Sequence, residues 1–74
     1  MVFKKKRLYL YPNPTENILT VYCKGAVNVL DMRGVTLRLP QTVFEDRVII
    51  DTTMLQKGNY LLVSGENIEK FIKL

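Results

Sequence analysis

Two prolines separated by a single residue, Pro12 and Pro14, constrain the fold of this chain more than any other feature. Each proline fixes its φ angle and lacks a backbone N–H, and Asn13 is disfavoured in the helical region because a proline follows it. The segment is therefore excluded from a helix and from the interior of a sheet ladder. Apolar, strand-like residues lie on both sides, so the sequence predicts a strand, a rigid turn and a second strand. We expect this turn to carry the chain from one sheet to another and to discourage pairing with other molecules at a sheet edge.

The rest of the chain consists of short apolar runs separated by turn residues. These runs cover residues 17–23, 26–31, 35–40, 47–51, 59–64 and 68–74. Short runs rich in β-branched residues, with turn signals every ~8–12 residues, are typical of all-β sandwiches and barrels. Only residues 52–58 combine a threonine cap with a glycine stop, and this segment is too short for more than one helical turn.

The alternation of side chains along a strand predicts which residues face the core. The predicted inward-facing residues are Leu8, Leu10, Leu19, Val21, Val27, Val29, Val35, Leu37, Val48, Ile50, Tyr60 and Leu62. On the last run, Ile68 and Ile72 share one face, so we expect them to pack on a sheet and we expect Lys70 and Lys73 to be exposed. Because two sheets of three or four strands enclose such a core, the sequence predicts an antiparallel β-sandwich of about seven short strands.

The length and the charge of the chain limit its organisation and its partners. A chain of 74 residues is long enough for one domain, which we assign to residues 8–74, with residues 1–7 as a basic tail or linker remnant. The net charge of +4 comes from that tail, since residues 8–74 contain seven Lys or Arg and seven Asp or Glu. Nucleic-acid-binding proteins more often spread basic residues over one face, so we expect no nucleic-acid partner. No apolar run approaches the ~20 residues of a membrane span, so we expect none.

The residue types that usually carry catalysis and metal binding are scarce. The chain has no histidine and a single cysteine, Cys23, which excludes the usual zinc ligand sets, histidine-based catalytic triads and an internal disulfide. We find no glycine-rich phosphate loop and no recognisable pair of catalytic carboxylates. The sequence therefore predicts a protein that is not an enzyme and that binds neither a metal nor a cofactor.

Five stretches of the sequence, taken in their order and spacing, resemble a known family. They are YPNPT at 11–15, LTV at 19–21, VNVLDMRG at 27–34, IDTTMLQKGNYLL at 50–62 and KFIKL at 70–74. Together they resemble the C-terminal sorting domain of the type IX secretion system of Bacteroidetes, over residues 8–74. The residues that correspond to the motifs of that family are Tyr11, Pro12, Asn13, Pro14, Asp31, Gly34, Leu55, Gly58, Tyr60, Lys70, Phe71 and Lys73.

The resemblance implies an immunoglobulin-like β-sandwich that serves as a folded address label. It implies a larger cargo protein, covalently linked on the N-terminal side, and an outer-membrane translocation machinery that reads the domain. It further implies that a sortase-like surface peptidase removes the domain and attaches the cargo to the cell surface. The implied location is the periplasm in transit, and then the cell surface or the extracellular space.

The motif residues also have structural interpretations. Gly34 and Gly58 suit turns that need a positive φ angle, and Asp31 is suited to accept hydrogen bonds from backbone donors in the DMRG turn. Tyr60 is expected in the core with a solvated hydroxyl. Two interpretations stay open for the two lysines of the last run. They protect a strand edge, or they belong to a basic strand that a transporter reads by strand addition and charge.

Two other classes of function are alternatives. One is a small binding module of carbohydrate or adhesin type appended to a secreted protein, which needs an exposed aromatic platform. Tyr9, Tyr11 and Tyr22 form the outward aromatic cluster that the sequence offers for this purpose. The other is a small nucleic-acid-binding barrel that uses the basic residues Lys4–Arg7.

Overall fold

A computed structural model describes residues 8–74, which form eight β-strands and no helix. The strands are β1 (Tyr9–Tyr11), β2 (Ile18–Tyr22), β3 (Asn28–Leu30), β4 (Thr36–Leu37), β5 (Gln41–Val43), β6 (Val48–Asp51), β7 (Gly58–Ser64) and β8 (Asn67–Lys73). The first sheet has the order β1-β2-β6-β5 and the second has the order β4-β3-β7-β8. All pairings within the two sheets are antiparallel, so the predicted all-β sandwich is confirmed.

The core draws on both sheets. In the first sheet Leu19 lies opposite Ile50, and in the second Val29 lies opposite Leu62. The buried apolar residues are Leu8, Leu19, Val21, Val27, Val29, Val48, Ile50, Leu62 and Phe71, with Leu10, Leu37, Leu55 and Tyr60 among the half-buried residues packed on them. Of the twelve inward-facing residues predicted for the runs before the last one, all but one are thus in or against the core.

The exception is Val35, which was predicted to face the core and is 50% exposed. Its backbone belongs to the turn before β4, where its N–H donates to Asp31 Oδ1 at 3.0 Å and its carbonyl accepts from the Asp31 N–H at 3.0 Å. The turn fixes this residue outside the two-residue strand β4, so the alternation does not extend to it.

The strand that the sequence did not predict is β5, and it brings the count to eight instead of about seven. All three of its residues are exposed, so it lacks the alternation that identifies a half-buried strand. The Gln41 side chain forms two hydrogen bonds with the backbone of Val27. Nε2 donates to the Val27 carbonyl at 3.0 Å, and Oε1 accepts from the Val27 N–H at 3.1 Å. Residues 52–57 form turns before β7, and the Leu55 N–H donates to the Thr52 carbonyl at 3.0 Å.

The expectation that the proline segment carries the chain between sheets is wrong. Strands β1 and β2 pair with each other in the first sheet, with Tyr9 opposite Tyr22. The chain instead changes sheets after β2, after β4 and after β6. The two prolines have no N–H to donate. The carbonyls of the segment and the Asn13 side chain can still form hydrogen bonds, and these bonds join the segment to another part of the chain.

The prediction that Ile68 and Ile72 pack inward on the last strand is also wrong. Ile68 is 61% exposed and Ile72 is exposed as well, whereas Phe71 is fully buried and Lys73 is only 8% exposed. The alternative phase would bury Lys70 in the middle of the strand, between the two isoleucines. The observed phase buries a larger aromatic ring and leaves Lys73 at the strand end, where its ammonium group reaches backbone oxygen atoms.

Two further expectations concern the basic tail and a membrane span. The predicted basic tail, residues 1–7 with Lys4–Arg7, lies outside the described residues. Within residues 8–74 there is no helix long and apolar enough to cross a membrane.

The phase of β8 can be tested with two substitutions on that strand. We expect Phe71→Ala to lower the free energy of unfolding by about 3–5 kcal/mol, because it leaves a cavity in the core. The matched control Ile68→Ala removes a side chain that is already 61% exposed, so its effect should stay within about 0.5–1 kcal/mol. Urea denaturation measures both values, and a larger loss for Ile68→Ala than for Phe71→Ala would contradict the observed phase.

Candidate functional site

Strand β8 is an edge strand of the second sheet. Along one edge it pairs with β7 over its whole length, from Gly58–Lys73 to Ser64–Asn67. The proline segment covers part of the edge that faces away from β7. At this edge Thr15 forms an isolated parallel bridge with Lys73. The Thr15 N–H donates to the Ile72 carbonyl at 2.8 Å, and the Leu74 N–H donates to the Thr15 carbonyl at 2.9 Å. Thr15 therefore pairs with β8 as a single residue of an additional strand would.

The side chain of Asn13 extends this pairing along the edge. Its Oδ1 accepts from the Ile72 N–H at 3.0 Å, and its Nδ2 donates to the Lys70 carbonyl at 3.2 Å. A carboxamide offers the same donor and acceptor as a peptide group. Asn13 thus supplies the pairing that Pro12 and Pro14 on either side cannot supply, since neither has an N–H. The peptide bonds before both prolines are cis.

Two buried polar side chains hold this arrangement in place. Thr15 is fully buried, and its Oγ1 donates to the Ile18 carbonyl at 2.8 Å, which closes the loop before β2. The Lys73 ammonium donates to the Glu16 carbonyl and, at 3.3 Å, to the main-chain oxygen of Leu74. We call Asn13, Thr15 and Lys73 the edge clasp. It joins the β1–β2 loop of the first sheet to the last strand of the second.

The motif residues of β7 support β8 from the other side. The rings of Tyr60 and Phe71 stack with centroids 5.7 Å apart and an interplanar angle of 24°. Tyr60 is half-buried against the core, as predicted, and its hydroxyl, which was predicted to be solvated, donates to the Gln56 carbonyl at 2.6 Å. Leu55 lies in the turn segment before β7 and packs against the core, and Gly58 begins β7 with a φ of +151°.

Asp31 and Gly34 lie in a separate turn between β3 and β4, at the edge of the second sheet opposite β8. Asp31 Oδ1 accepts from the backbone N–H of Arg33 at 2.9 Å and of Val35 at 3.0 Å, and Gly34 has a φ of +87°. The Arg33 guanidinium forms an ion pair with Asp31 Oδ2 at 2.9 Å. The hydrogen bond from the Val35 N–H, followed by those from Arg33, lowers the pKa of the Asp31 carboxyl. Both motif residues thus serve the turn.

The structure therefore brings most of the predicted site residues together around one strand. Those at or beside β8 are Tyr11, Pro12, Asn13, Pro14, Gly58, Tyr60, Lys70, Phe71 and Lys73, and Leu55 packs against the core. Asp31 and Gly34 are the two that it places elsewhere. Lys70 is exposed on the outer face, whereas Lys73 is buried, so the expectation that both are exposed is wrong for Lys73.

Sequence reasoning missed two buried threonines. Thr15 follows the second proline, a position that indicates no more than a turn residue, although it carries the bridge to β8. Thr52 is also fully buried, and both its N–H and its hydroxyl donate to the Asn17 carbonyl at 2.7 Å. In the sequence, each of these threonines follows the end of a turn or strand. Threonines are common at such positions, so the position does not predict that the side chain is buried.

The outer face of the first sheet presents the tyrosine cluster that the sequence predicted. Tyr9 is 74%, Tyr11 71% and Tyr22 47% exposed, and the Arg47 guanidinium lies 5.6 Å from the centroid of the Tyr22 ring. Next to Tyr11 an open groove of about 540 Å³ runs along the proline segment towards Leu74. Within residues 8–74 there is no group of three or more His, Cys, Asp or Glu residues suited to hold a metal ion.

Comparisons with known proteins identify the family. The family model described as "Secretion system C-terminal sorting domain" matches residues 9–74. No curated protein and no solved structure gives a significant match. Domains of this family are the C-terminal sorting signals of type IX secretion, and the match includes every motif residue at the edge clasp and in the β3–β4 turn.

The structural role of Lys73 can be tested separately from its charge. We expect Lys73→Met to lower the free energy of unfolding by about 1–3 kcal/mol, because the part-buried, charge-assisted hydrogen bond to the Glu16 carbonyl is lost while the aliphatic part of the side chain is kept. The control Lys70→Met changes the same residue type at an exposed position, so we expect a change within about 0.5 kcal/mol. Equal losses for the two variants in urea denaturation would contradict the buried role of Lys73.

The turn that contains Asp31 should make stability depend on pH. The pKa of Asp31 is lower in the folded chain than its ordinary value of 3.8, so its contribution is fully present above that value and is lost as the pH falls through the folded pKa. Asp31→Asn should therefore be less stable than the wild-type chain at neutral pH, and the difference should shrink on acidification. Denaturation curves between neutral and strongly acidic pH measure it. A difference that stays constant or grows at low pH would refute this role of the carboxylate.

Proposed function

Because the chain belongs to the family of secretion system C-terminal sorting domains, we propose that it directs a covalently linked N-terminal cargo across the outer membrane through the type IX translocation machinery. The family match over residues 9–74 is the observation that carries this proposal. As a type IX sorting signal, the domain implies a cargo, a secretion machinery and export to the cell surface or the extracellular space.

The further steps of the route are part of the proposal. The cargo passes through the periplasm, where the folded domain is read at the outer membrane. A sortase-like surface peptidase then removes the domain and attaches the cargo to the cell surface. The domain itself catalyses no reaction and serves as a folded address label.

The geometry supports Lys70 as the lysine that the machinery reads. Lys73 is buried and donates to main-chain oxygens, so its ammonium group is engaged within the domain. Lys70 lies on the exposed outer face of β8, in one row with Ile68 and Ile72. A positive charge between two exposed apolar side chains is a distinctive feature for a partner to recognise, beyond its use in protecting an edge.

A binding module of carbohydrate or adhesin type is the alternative function. The exposed rings of Tyr9, Tyr11 and Tyr22 are the observation in its favour. The family match favours the sorting function, and we place the tyrosine cluster second for that reason.

The proposal is tested by export of a cargo fused in front of residues 1–74, in a bacterium with type IX secretion. We expect the wild-type fusion to appear at the surface or in the medium. Lys70→Glu should leave the cargo in the periplasm while the domain stays folded, because an exposed charge change alters stability by less than about 1 kcal/mol. The matched control Lys24→Glu makes the same charge change at an exposed loop position and should be exported normally.

The outcomes separate the function from the residue. If the wild-type fusion is never exported, the sorting function of this chain is rejected. If the wild type and both lysine variants are exported equally, the sorting function stands and Lys70 is not read.

A further inference from the structure

Among residues 8–74, the edge of β8 that faces away from β7 is only partly covered. In an antiparallel ladder, residues alternate between pointing their N–H and C=O groups towards the partner strand and away from it. The bonds of Ile72 to Asn13 and Thr15 identify the outward set, which therefore also includes Ile68 and Lys70. The bonds of the edge clasp begin at the Lys70 carbonyl and continue to Leu74. The N–H and carbonyl of Ile68 and the N–H of Lys70 precede this stretch, so the edge clasp does not bond to them.

The bonds that cover the edge differ in their exposure to water. Both hydrogen bonds of the Asn13 side chain are exposed, at 3.2 and 3.0 Å, so water competes for the same donor and acceptor. Thr15, by contrast, is fully buried and anchored to the Ile18 carbonyl. The cover therefore opens at the lowest cost at Asn13, immediately next to the uncovered part of the edge.

The side chains of β8 define what fits against this edge. An extended segment that adds to a sheet edge binds by main-chain hydrogen bonds, and its alternate side chains lie beside those of the edge strand. The outer row of β8 is Ile68, Lys70 and Ile72, with Ile68 61% exposed. The complementary segment carries an acidic side chain between two apolar ones on one face.

We propose that the free edge of β8 is the docking surface for one extended segment of the secretion machinery, and that the Asn13 side chain covers part of this edge until the segment displaces it. The segment begins to pair at Ile68 and the Lys70 N–H and then replaces Asn13 at the Lys70 carbonyl and the Ile72 N–H. Thr15 and Lys73 keep the end of the strand in place during the exchange. This inference rests on the proposed sorting function, for which it names the contact surface.

Docking at the edge is tested with a proline at position 68 in the cargo fusion. Ile68→Pro removes an N–H that points away from β7, so the β7–β8 ladder keeps its bonds while strand addition is blocked. We expect the rate of export to fall about 10-fold or more, because loss of the docking site lowers the affinity of the secretion machinery for the domain. The matched variant Ile68→Ala removes the same side chain but keeps the N–H, so the difference between the two variants isolates main-chain pairing, and we expect Ile68→Pro to be exported about 3-fold or more slowly than Ile68→Ala.

The result separates this inference from the function on which it rests. Export of the wild-type fusion supports the sorting function whatever the proline variant does. Equal export of Ile68→Pro and Ile68→Ala, with the wild type exported, overturns the edge as the docking surface and leaves the sorting function intact. A thermal melt of each variant checks that the domain remains folded.

A second measurement holds even if Ile68→Pro fails to fold. Purified outer-membrane translocation complex is added to the wild-type fusion, and hydrogen exchange is followed for single amides. We expect slower exchange at Ile68 and Lys70 on binding, because the added segment accepts from their N–H groups. Unchanged exchange at both amides, in a complex that does form, overturns the inference.

The role of Asn13 as a cover is tested by Asn13→Ala. We expect the Ile72 amide to exchange about 5-fold faster, because its acceptor is removed. The matched control Asn28→Ala replaces an exposed asparagine on β3 and should leave the Ile72 amide unchanged. An Ile72 amide that exchanges at the wild-type rate in Asn13→Ala would show that Asn13 covers nothing.

Discussion

Pairing of the last strand on both of its sides is the interaction on which the rest of the structure depends. On one side β8 adds seven residues to the ladder with β7 and brings Phe71 into the core, where it stacks on Tyr60. On the other side Thr15 and Asn13 bond to its edge. Because these two residues belong to the loop of the β1–β2 hairpin, the pairing also connects the two sheets at this end of the sandwich. A domain of this size has a thin core, so one strand carries a large share of it.

This arrangement explains why motifs from the two ends of the chain belong to one site. The segment 11–15 and the strand that ends at Lys73 are far apart in sequence, yet Asn13 and Lys70 are joined by a hydrogen bond across 57 positions. The Asp31 turn, at the opposite edge, shares no contact of this kind with the rest of residues 8–74 and is accounted for by its own backbone bonds. A surface that combines both ends exists only in the folded chain. A partner that reads it therefore reads a folded domain rather than a linear peptide.

The sequence predicted every strand except β5 and most of the core, because a period of two assigns a face wherever one face is clearly apolar, as at Leu19 and Val21. It gave the wrong phase for β8, where both sets of alternate residues contain apolar and charged side chains. Only the tertiary contacts of Phe71 and of the Lys73 ammonium decide between the two phases. The rigid turn was also predicted, but its partner was not. The bonds of Asn13 to β8 are long-range pairings, and no local propensity indicates them.

Two lysines three positions apart illustrate how the edge is built. The aliphatic part of the Lys73 side chain is buried, and its ammonium group donates a hydrogen bond to the Glu16 carbonyl in the β1–β2 loop. This bond keeps the end of the strand fixed. Lys70 points outward, where a charge opposes unwanted pairing with other sheets. An exported domain has two requirements for this edge, since it must not aggregate in transit and must still be accessible to its receptor. A complete cover would meet only the first requirement and a bare edge only the second. A cover that is anchored at buried Thr15 and exposed to water at Asn13 meets both.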